Sequence, residues 1–264
     1  VFLSISAHLD YTLVQPSDLL LQIEAAPMAD QQLLTAGIGI SPVEHFQRLP
    51  GEDGIGDRIW MRAENRLICD YNSRIEVTRA AQDLAAKEAT PLTALPADTV
   101  RYLFASRYCP SDEFQSFVAA EFGTLTGGAR VAAMRDWIAR TFAYIPGSSS
   151  SRTTARETFV HREGICRDFA HMLITLARAS AIPARMVSVY APGIEPMDFH
   201  AVTEVWLDGG WYLADATGMA DMAQVARIAV GRDAADIAFL TSFGPVTLNA
   251  LWVNVSLDPP ARVA

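Results

Sequence analysis

The sequence predicts an α+β protein in two parts, a small N-terminal β-sandwich over residues 1–80 and a larger second part over 81–264. Three observations predict it. The first part alternates apolar and polar residues in period two between turn clusters. After Ala80 the apolar residues switch to helical spacing. Beyond Ile182-Pro183, strand-like runs return, so helices there pack against a mostly antiparallel sheet.

The elements follow in order. A first strand is expected over Ser6 to Val14. Pro16-Ser17-Asp18 separates it from a second, in which Leu19, Leu21 and Ile23 alternate with Leu20, Gln22 and Glu24. Gly51-Glu52-Asp53-Gly54-Ile55-Gly56-Asp57 is a turn cluster, and short strands are expected at Ile59-Trp60-Met61, Leu67-Ile68-Cys69 and Ile75-Glu76-Val77. Pro91 and Pro96 punctuate a connection. Helices are expected over Ala97 to Arg107, over Asp112 to Glu121 with Ser111-Asp112 as its N-terminal cap, and over Ala129 to Phe142. In the last of these, Val131, Met134, Trp137 and Ile138 form one apolar stripe. Pro146-Gly147 stops it, and Ser148 to Ser151 form a short polar loop. A helix then begins at Cys166, with Phe169, Met172, Leu173, Leu176 and Ser180 on one face. Strands follow at Ala184 to Tyr190, His200 to Leu207, Trp211 to Asp215, Arg227 to Val230 and Val246 to Val255.

Composition narrows the function classes. The formal net charge of −9 argues against nucleic acid or an anionic membrane as the main partner. No apolar run reaches the roughly 18 residues of a spanning helix. No basic region followed by a sustained apolar one opens the chain, so a cytoplasmic protein is expected. Three scattered cysteines, Cys69, Cys109 and Cys166, suit neither a disulfide framework nor a zinc knuckle.

Chemistry concentrates at Cys166, His200 and Asp215. A thiol at the start of a helix meets unpaired backbone N–H groups and the positive end of the macrodipole, which favour a thiolate. Arg167 adds positive charge. An imidazole opening one strand and a carboxylate closing the next complete the parts of a nucleophile with an oriented base. The opposing reading makes Cys166 a small core residue on the Phe169 stripe. Register bears on the choice. With Gly209-Gly210 as a two-residue turn, Asp215 opposes Glu204 and shares a face with His200, but lies about 13 Å along the strand from it. A bulge or a turn centred nearer Leu207-Asp208 closes the gap. Cys166, Asp168 and His171 have the wrong spacing for a metal site, so neither metal nor cofactor is expected. The charges of Arg227 to Asp236 read as a solvated rim.

Four blocks in order, Gly164-Ile165-Cys166-Arg167-Asp168-Phe169-Ala170-His171, Ile182-Pro183-Ala184-Arg185, His200-Ala201-Val202-Thr203-Glu204-Val205 and Gly210-Trp211-Tyr212-Leu213-Ala214-Asp215-Ala216-Thr217, resemble the transglutaminase-like superfamily. The match covers roughly residues 130–220, and the chain is especially similar to bacterial members with a small N-terminal β domain. The resemblance implies a papain-like core with Cys166 as nucleophile, His200 as base then acid, and Asp215 orienting His200. It implies a thioester on Cys166, formed from a peptide or carboxamide and resolved by water or an amine. The Cys166 N–H would be one oxyanion donor, with Tyr144 as candidate for a second.

Hydrolysis of a peptide or protein substrate is the expected reaction, since nothing in the sequence excludes water from the thioester. Three alternatives stand beside it: a crosslinking transglutaminase with an amine acceptor, an acyltransferase using a small thioester donor, and a non-enzymatic binding module retaining the fold. Lys87 is the one lysine, so self-crosslinking would be confined to it and the N-terminus. The Ser148 to Ser151 loop is a candidate flap, and the β domain a candidate for screening substrates or recruiting a partner.

Overall fold

The computed structural model describes residues 1–258. The chain starts with β1 (Phe2–Leu13), β2 (Ser17–Leu21), β3 (Gln31–Ile40), β4 (His45–Pro50), β5 (Asp57–Ala63) and β6 (Arg66–Val77). Next come α1 (Gln115–Phe122), α2 (Gly127–Thr141), β7 (Ala143–Tyr144), α3 (Ala155–His161), β8 (Glu163–Gly164) and α4 (Cys166–Ala179). It closes with β9 (Ala184–Tyr190), β10 (His200–Leu207), β11 (Gly210–Ala214), β12 (Ala226–Gly231), α5 (Ala234–Ile237), β13 (Leu240–Ser242) and β14 (Val246–Asp258). This is the α+β architecture expected.

Two four-stranded antiparallel sheets, β14-β1-β6-β3 and β13-β2-β5-β4, form the N-terminal sandwich. Period-two alternation drives it: Leu3, Ile5, Leu9, Leu19, Leu21, Ile59, Met61, Leu67 and Ile75 are all buried in one core. The strand Val246 to Val255, which a boundary at residue 80 would leave in the second part, runs along β1 from Phe2 opposite Asp258 to Leu13 opposite Val246. β13 likewise runs along β2. The two C-terminal strands therefore cover sheet edges of the N-terminal sandwich.

Some elements differ from expectation. β3 and β4 lack an apolar alternation because both are edge strands with mostly exposed side chains. Ala97 to Arg107 is not a helix beyond a 3-10 turn at Val100–Leu103, because Ser106 and Cys109 exchange backbone hydrogen bonds of 3.1 Å and fold the segment back. Ser111–Glu113 is likewise a 3-10 turn, so α1 starts at Gln115 and Ser111 does not cap it. α3 was not expected, although Thr154 and Glu157 form a capping box in which Glu157 accepts the Thr154 N–H at 2.8 Å.

The second sheet, β11-β10-β9-β12, is antiparallel and carries α4 on one face. Thr203 Oγ1 donates to the Ala170 carbonyl at 3.2 Å, fixing which face of β10 meets the helix. Alternation then turns Val202 and Glu204 to the opposite face, while His200, at the start of the strand, neighbours Cys166 at the start of α4. α4 is buried nearly all round rather than along one stripe: every residue from Asp168 to Arg178 is buried. Within that shell Arg178 donates to the carbonyls of Phe104, Ala184 and Arg232, so its charge sits among acceptors near the helix C-terminus.

Candidate active site

The start of α4 is built by close backbone approach. Gly164 ends β8, and a Cβ there would lie 2.7 Å from the Asp168 Cβ, so glycine is required. Ile165 is extended at the N-cap and offers no side-chain acceptor. Asp168, fully buried, reaches back instead and accepts the Ile165 N–H at 2.9 Å. Asp168 and Phe169 donate to the Ile165 carbonyl, which leaves the Cys166 N–H pointing out of the first turn. Cys166 itself is half-buried, whereas Cys69 and Cys109 are buried.

Arg167 does not sit beside the thiol as a lone cation. It donates to Asp168 Oδ1 at 3.0 Å, to Ser149 Oγ at 3.1 Å and to the Ser150 carbonyl at 2.8 Å. The Ser148 to Ser151 loop is thereby tied to the helix, and the Tyr108 hydroxyl donates to the Ser151 carbonyl as well.

His200 opens β10 and is 1% exposed. Its Nε2 lies 3.2 Å from Asp215 Oδ2. The hairpin that allows this turns on Asp208-Gly209, both at positive φ, with Leu207 opposite Gly210 and Thr203 opposite Ala214. The expected Gly209-Gly210 turn is thus corrected by one residue. Asp-Gly accommodates the two left-handed positions, and the shift brings Asp215 level with Val202 instead of Glu204, halving the separation from His200. Asp215 is held by its own turn: Thr217 N–H donates to Oδ1 at 2.8 Å, and the Met219 and Ala220 N–H groups to Oδ2 at 3.1 and 3.0 Å. The Asp-x-Thr pattern signalled that turn.

Electrostatics follow the geometry. Burial pushes the His200 imidazolium down, but the Asp215 hydrogen bond and then the Cys166 thiol outweigh it and hold the pKa up at about 9. Asp215, though buried, is held below the usual carboxylate range by His200 and Thr217. The second ring nitrogen, Nδ1, has no hydrogen-bond partner among the described residues. The Cys166 thiol neighbours the ring and favours its protonated form by hydrogen bonding and by charge.

Tyr144 is brought to the same place. β7 and β8 pair in parallel with Tyr144 beside Gly164, and the Ile145 N–H donates to the Gly164 carbonyl at 3.0 Å. Its phenol is pushed up to about 12, first by burial and then by Cys166, whose backbone N–H and thiol both neighbour the hydroxyl.

The remaining polar residues have other partners. His171 is buried and stacked on Tyr108 at 5.0 Å, its Nε2 accepts the Ala234 N–H at 3.1 Å, and burial pushes it down to about 4. Arg227, read from sequence as part of a solvated rim, is a correction. It is buried and donates to Glu204 Oε1 at 2.7 Å and Asp30 Oδ2 at 3.0 Å. Arg185 completes the cluster, bonded to Glu204 Oε2 at 2.8 Å and Asp53 Oδ2 at 2.7 Å. Sequence reading missed this network because its members are scattered from residue 30 to 227.

The family described as the transglutaminase-like superfamily matches residues 117–216, which contain Cys166, His200 and Asp215. The crystal structure of a putative cysteine protease from Cytophaga hutchinsonii has 32% sequence identity to this chain and a TM-score of 0.92, covering 98% of this chain and 91% of that one. An uncharacterized protein of Mycobacterium leprae is 32% identical over 120 residues, 42% of either chain. One of Mycobacterium tuberculosis is 29% identical over 167 residues, covering 56% of this chain and 52% of that protein. These alignments span about half the length of the mycobacterial relatives or less.

Proposed function

The chain belongs to the transglutaminase-like superfamily, and from that premise we propose that it is a cysteine-dependent hydrolase of peptide or carboxamide bonds using Cys166, His200 and Asp215. One observation carries the reading. His200 is clamped by Asp215 through Nε2, while its unpartnered Nδ1 and its raised pKa leave it committed to a neighbouring thiol.

The chemistry runs from those positions. The Cys166 proton passes to His200, and Asp215 stabilises the imidazolium. The thiolate sulfur adds to the substrate carbonyl carbon, and the oxyanion takes hydrogen bonds from the Cys166 N–H and the Tyr144 hydroxyl. His200 then delivers its proton to the departing amine as the C–N bond breaks, leaving a thioester on Cys166. Water attacks that thioester with His200 as base, and the acid leaves as the thiol reforms. Tyr144 suits this role because a phenol held at about 12 remains a donor at neutral pH.

The test is turnover of a peptide-carboxamide library by wild type and Cys166→Ala, with and without added primary amine, read by mass spectrometry. Hydrolysed product and a thioester adduct on Cys166 in wild type alone are expected. Amine-coupled product in preference to acid would replace hydrolysis by crosslinking. Full activity in Cys166→Ala would sink the catalytic reading.

A further inference from the structure

The outer face of the sheet β14-β1-β6-β3 carries a shallow groove of about 520 Å³. Strand register sets its contents row by row. Asn254, Ser6, Asn72 and Gly37 lie side by side across the four strands. Ser256, Ser4, Arg74 and Thr35 form the next row. On the other side stand Trp252, His8, Asp70 and Gly39. The residues between them, Ile5, Ala7, Tyr71 and Val253 among them, turn inwards to the core.

Three features set this face apart from a merely solvated one. Its charges pair among themselves: His8 Nδ1 lies 2.7 Å from Asp70 Oδ1, and Arg74 Nε donates to Asp258 Oδ2 at 3.0 Å. What remains for a ligand is uncharged, the exposed amides of Asn72 and Asn254 with the Ser6, Ser256 and Thr35 hydroxyls, each able to donate and accept. Trp252 is 48% exposed, and its ring stacks on His8 at 5.6 Å, which holds the indole in place. Gly37 and Gly39, finally, sit within β3 without structural need. Neither has a positive φ, a Cβ on Gly37 would meet nothing within 4 Å, and one on Gly39 only the Asp70 carbonyl at 3.9 Å. The register shift of β3 falls between Leu33 and Thr35, away from both. A strand glycine that serves neither bulge nor bend leaves close approach by another molecule as its use.

We propose that this face binds a neutral oligosaccharide, with one sugar ring on Trp252 and the hydroxyls of its neighbours bonded to Asn72, Asn254 and the flanking serines. The C–H bonds of a pyranose face suit an indole, and vicinal hydroxyls suit a side-chain amide that both donates and accepts. From Trp252 to Ser256 is about 13 Å at strand rise, the length of a short chain rather than a single ring. Arg74, the cation of these rows, is already paired, so a polyanion finds no charge to neutralise. The face adjoins the loop that leads into His200. Val255 N–H, on the free edge of β14, donates to Met197 Sδ at 3.2 Å, and Met197 lies in the connection from β9 to β10. Sugar binding itself does not depend on the catalytic reading of Cys166.

Titration with chitohexaose, cellohexaose and maltohexaose, followed by calorimetry and by NMR of the Trp252 indole N–H, tests the proposal. At least one should bind saturably and shift that resonance. Trp252→Ala should weaken binding at least about tenfold. Gly37→Val should weaken it as much while thermal stability stays equal or rises, because valine suits a strand better than glycine. A glycine kept for the fold alone would show the reverse. Cys166 alkylation serves as the check that both variants are folded. Binding that survives both substitutions overturns the proposal. So does binding confined to a sulfated chain such as heparin and lost in Arg74→Gln, or saturable binding of no neutral glycan in these titrations and on a printed glycan array.

Discussion

His200 Nε2 and Asp215 Oδ2 stand 3.2 Å apart, with both side chains almost wholly out of solvent. The Asp208-Gly209 turn places them on one sheet face, and the Thr217, Met219 and Ala220 donors keep the carboxylate charged in a site where burial alone would neutralise it. The carboxylate in turn keeps the imidazole protonated. Asp215→Asn should therefore lower the His200 pKa from about 9 and cut kcat/KM by about 10²–10⁴-fold, the usual worth of positioned acid–base catalysis. The alkaline fall in activity, set by loss of the imidazolium proton, should move to lower pH. An unchanged alkaline limb in the variant would dissociate Asp215 from His200.

Thiol labelling separates the three cysteines. Burial pushes Cys69 and Cys109 each up to about 12, so neither offers thiolate or access in the folded protein. Iodoacetamide mapping across pH about 6 to 9 should label Cys166 alone. His200→Ala should slow that labelling, because the neighbouring imidazolium is gone. Equal labelling of all three thiols without denaturant contradicts the burial.

Much of this was legible in the sequence, for identifiable reasons. β9 and β10 start and stop where alternation and Ile182-Pro183 said they would. Cys166 opens its helix because Gly164 and Asp168 make a local, sequence-encoded start. The hairpin register was misread by one residue, since Asp208-Gly209 and Gly209-Gly210 are both turn signals and tertiary pairing chooses between them. The edge strands β3 and β4 carried no pattern, because their side chains face solvent. Arg227 looked like a solvated charge because its partners are distant in sequence: Glu204 meets it only across β9 once the sheet forms, and Asp30 only after the sandwich docks on that sheet.

Two histidines set opposing pH limits on stability. His171 is held at about 4 against an ordinary 6.5, so between those values only the unfolded chain binds its proton. Its contribution is complete above pH 6.5 and is lost as pH falls towards about 4. His200 is held at about 9, so between 6.5 and 9 the native state binds the extra proton. Its contribution is complete below pH 6.5 and is lost as pH rises through about 9. Urea midpoints should therefore peak near pH 6.5, and His200→Ala should flatten the alkaline side only.

The sandwich and the second sheet are joined by ion pairs to buried arginines rather than by a flexible tether. Asp53 pairs with Arg185, Asp30 with Arg227 and Arg79, and Glu204 links Arg185 to Arg227. Breaking a buried ion pair by removing one partner costs about 3–5 kcal/mol because the other charge is stranded. Glu204→Ala, which strands the buried Arg185 and Arg227, should lose stability on that scale in chemical denaturation, and a chain lacking residues 1–80 should fail to fold, since Arg185, Glu204 and Arg227 would be uncovered together. A stable, monodisperse truncated chain would show that the network does not hold the two parts together.

Tyr144 gives the sharpest distinction between a packed aromatic and a participant. Its ring packs on Phe169 at 5.9 Å, and a phenylalanine would keep that contact. The hydroxyl alone neighbours the Cys166 N–H and thiol. If it donates to the oxyanion, Tyr144→Phe should lower kcat by about 10²–10³-fold, the cost of deleting one such donor, with KM little changed. Thermal stability and Cys166 alkylation should remain near wild type, because neither requires the tetrahedral intermediate. A kcat equal to wild type would leave Tyr144 a packing residue and return the second oxyanion donor to another group around the start of α4.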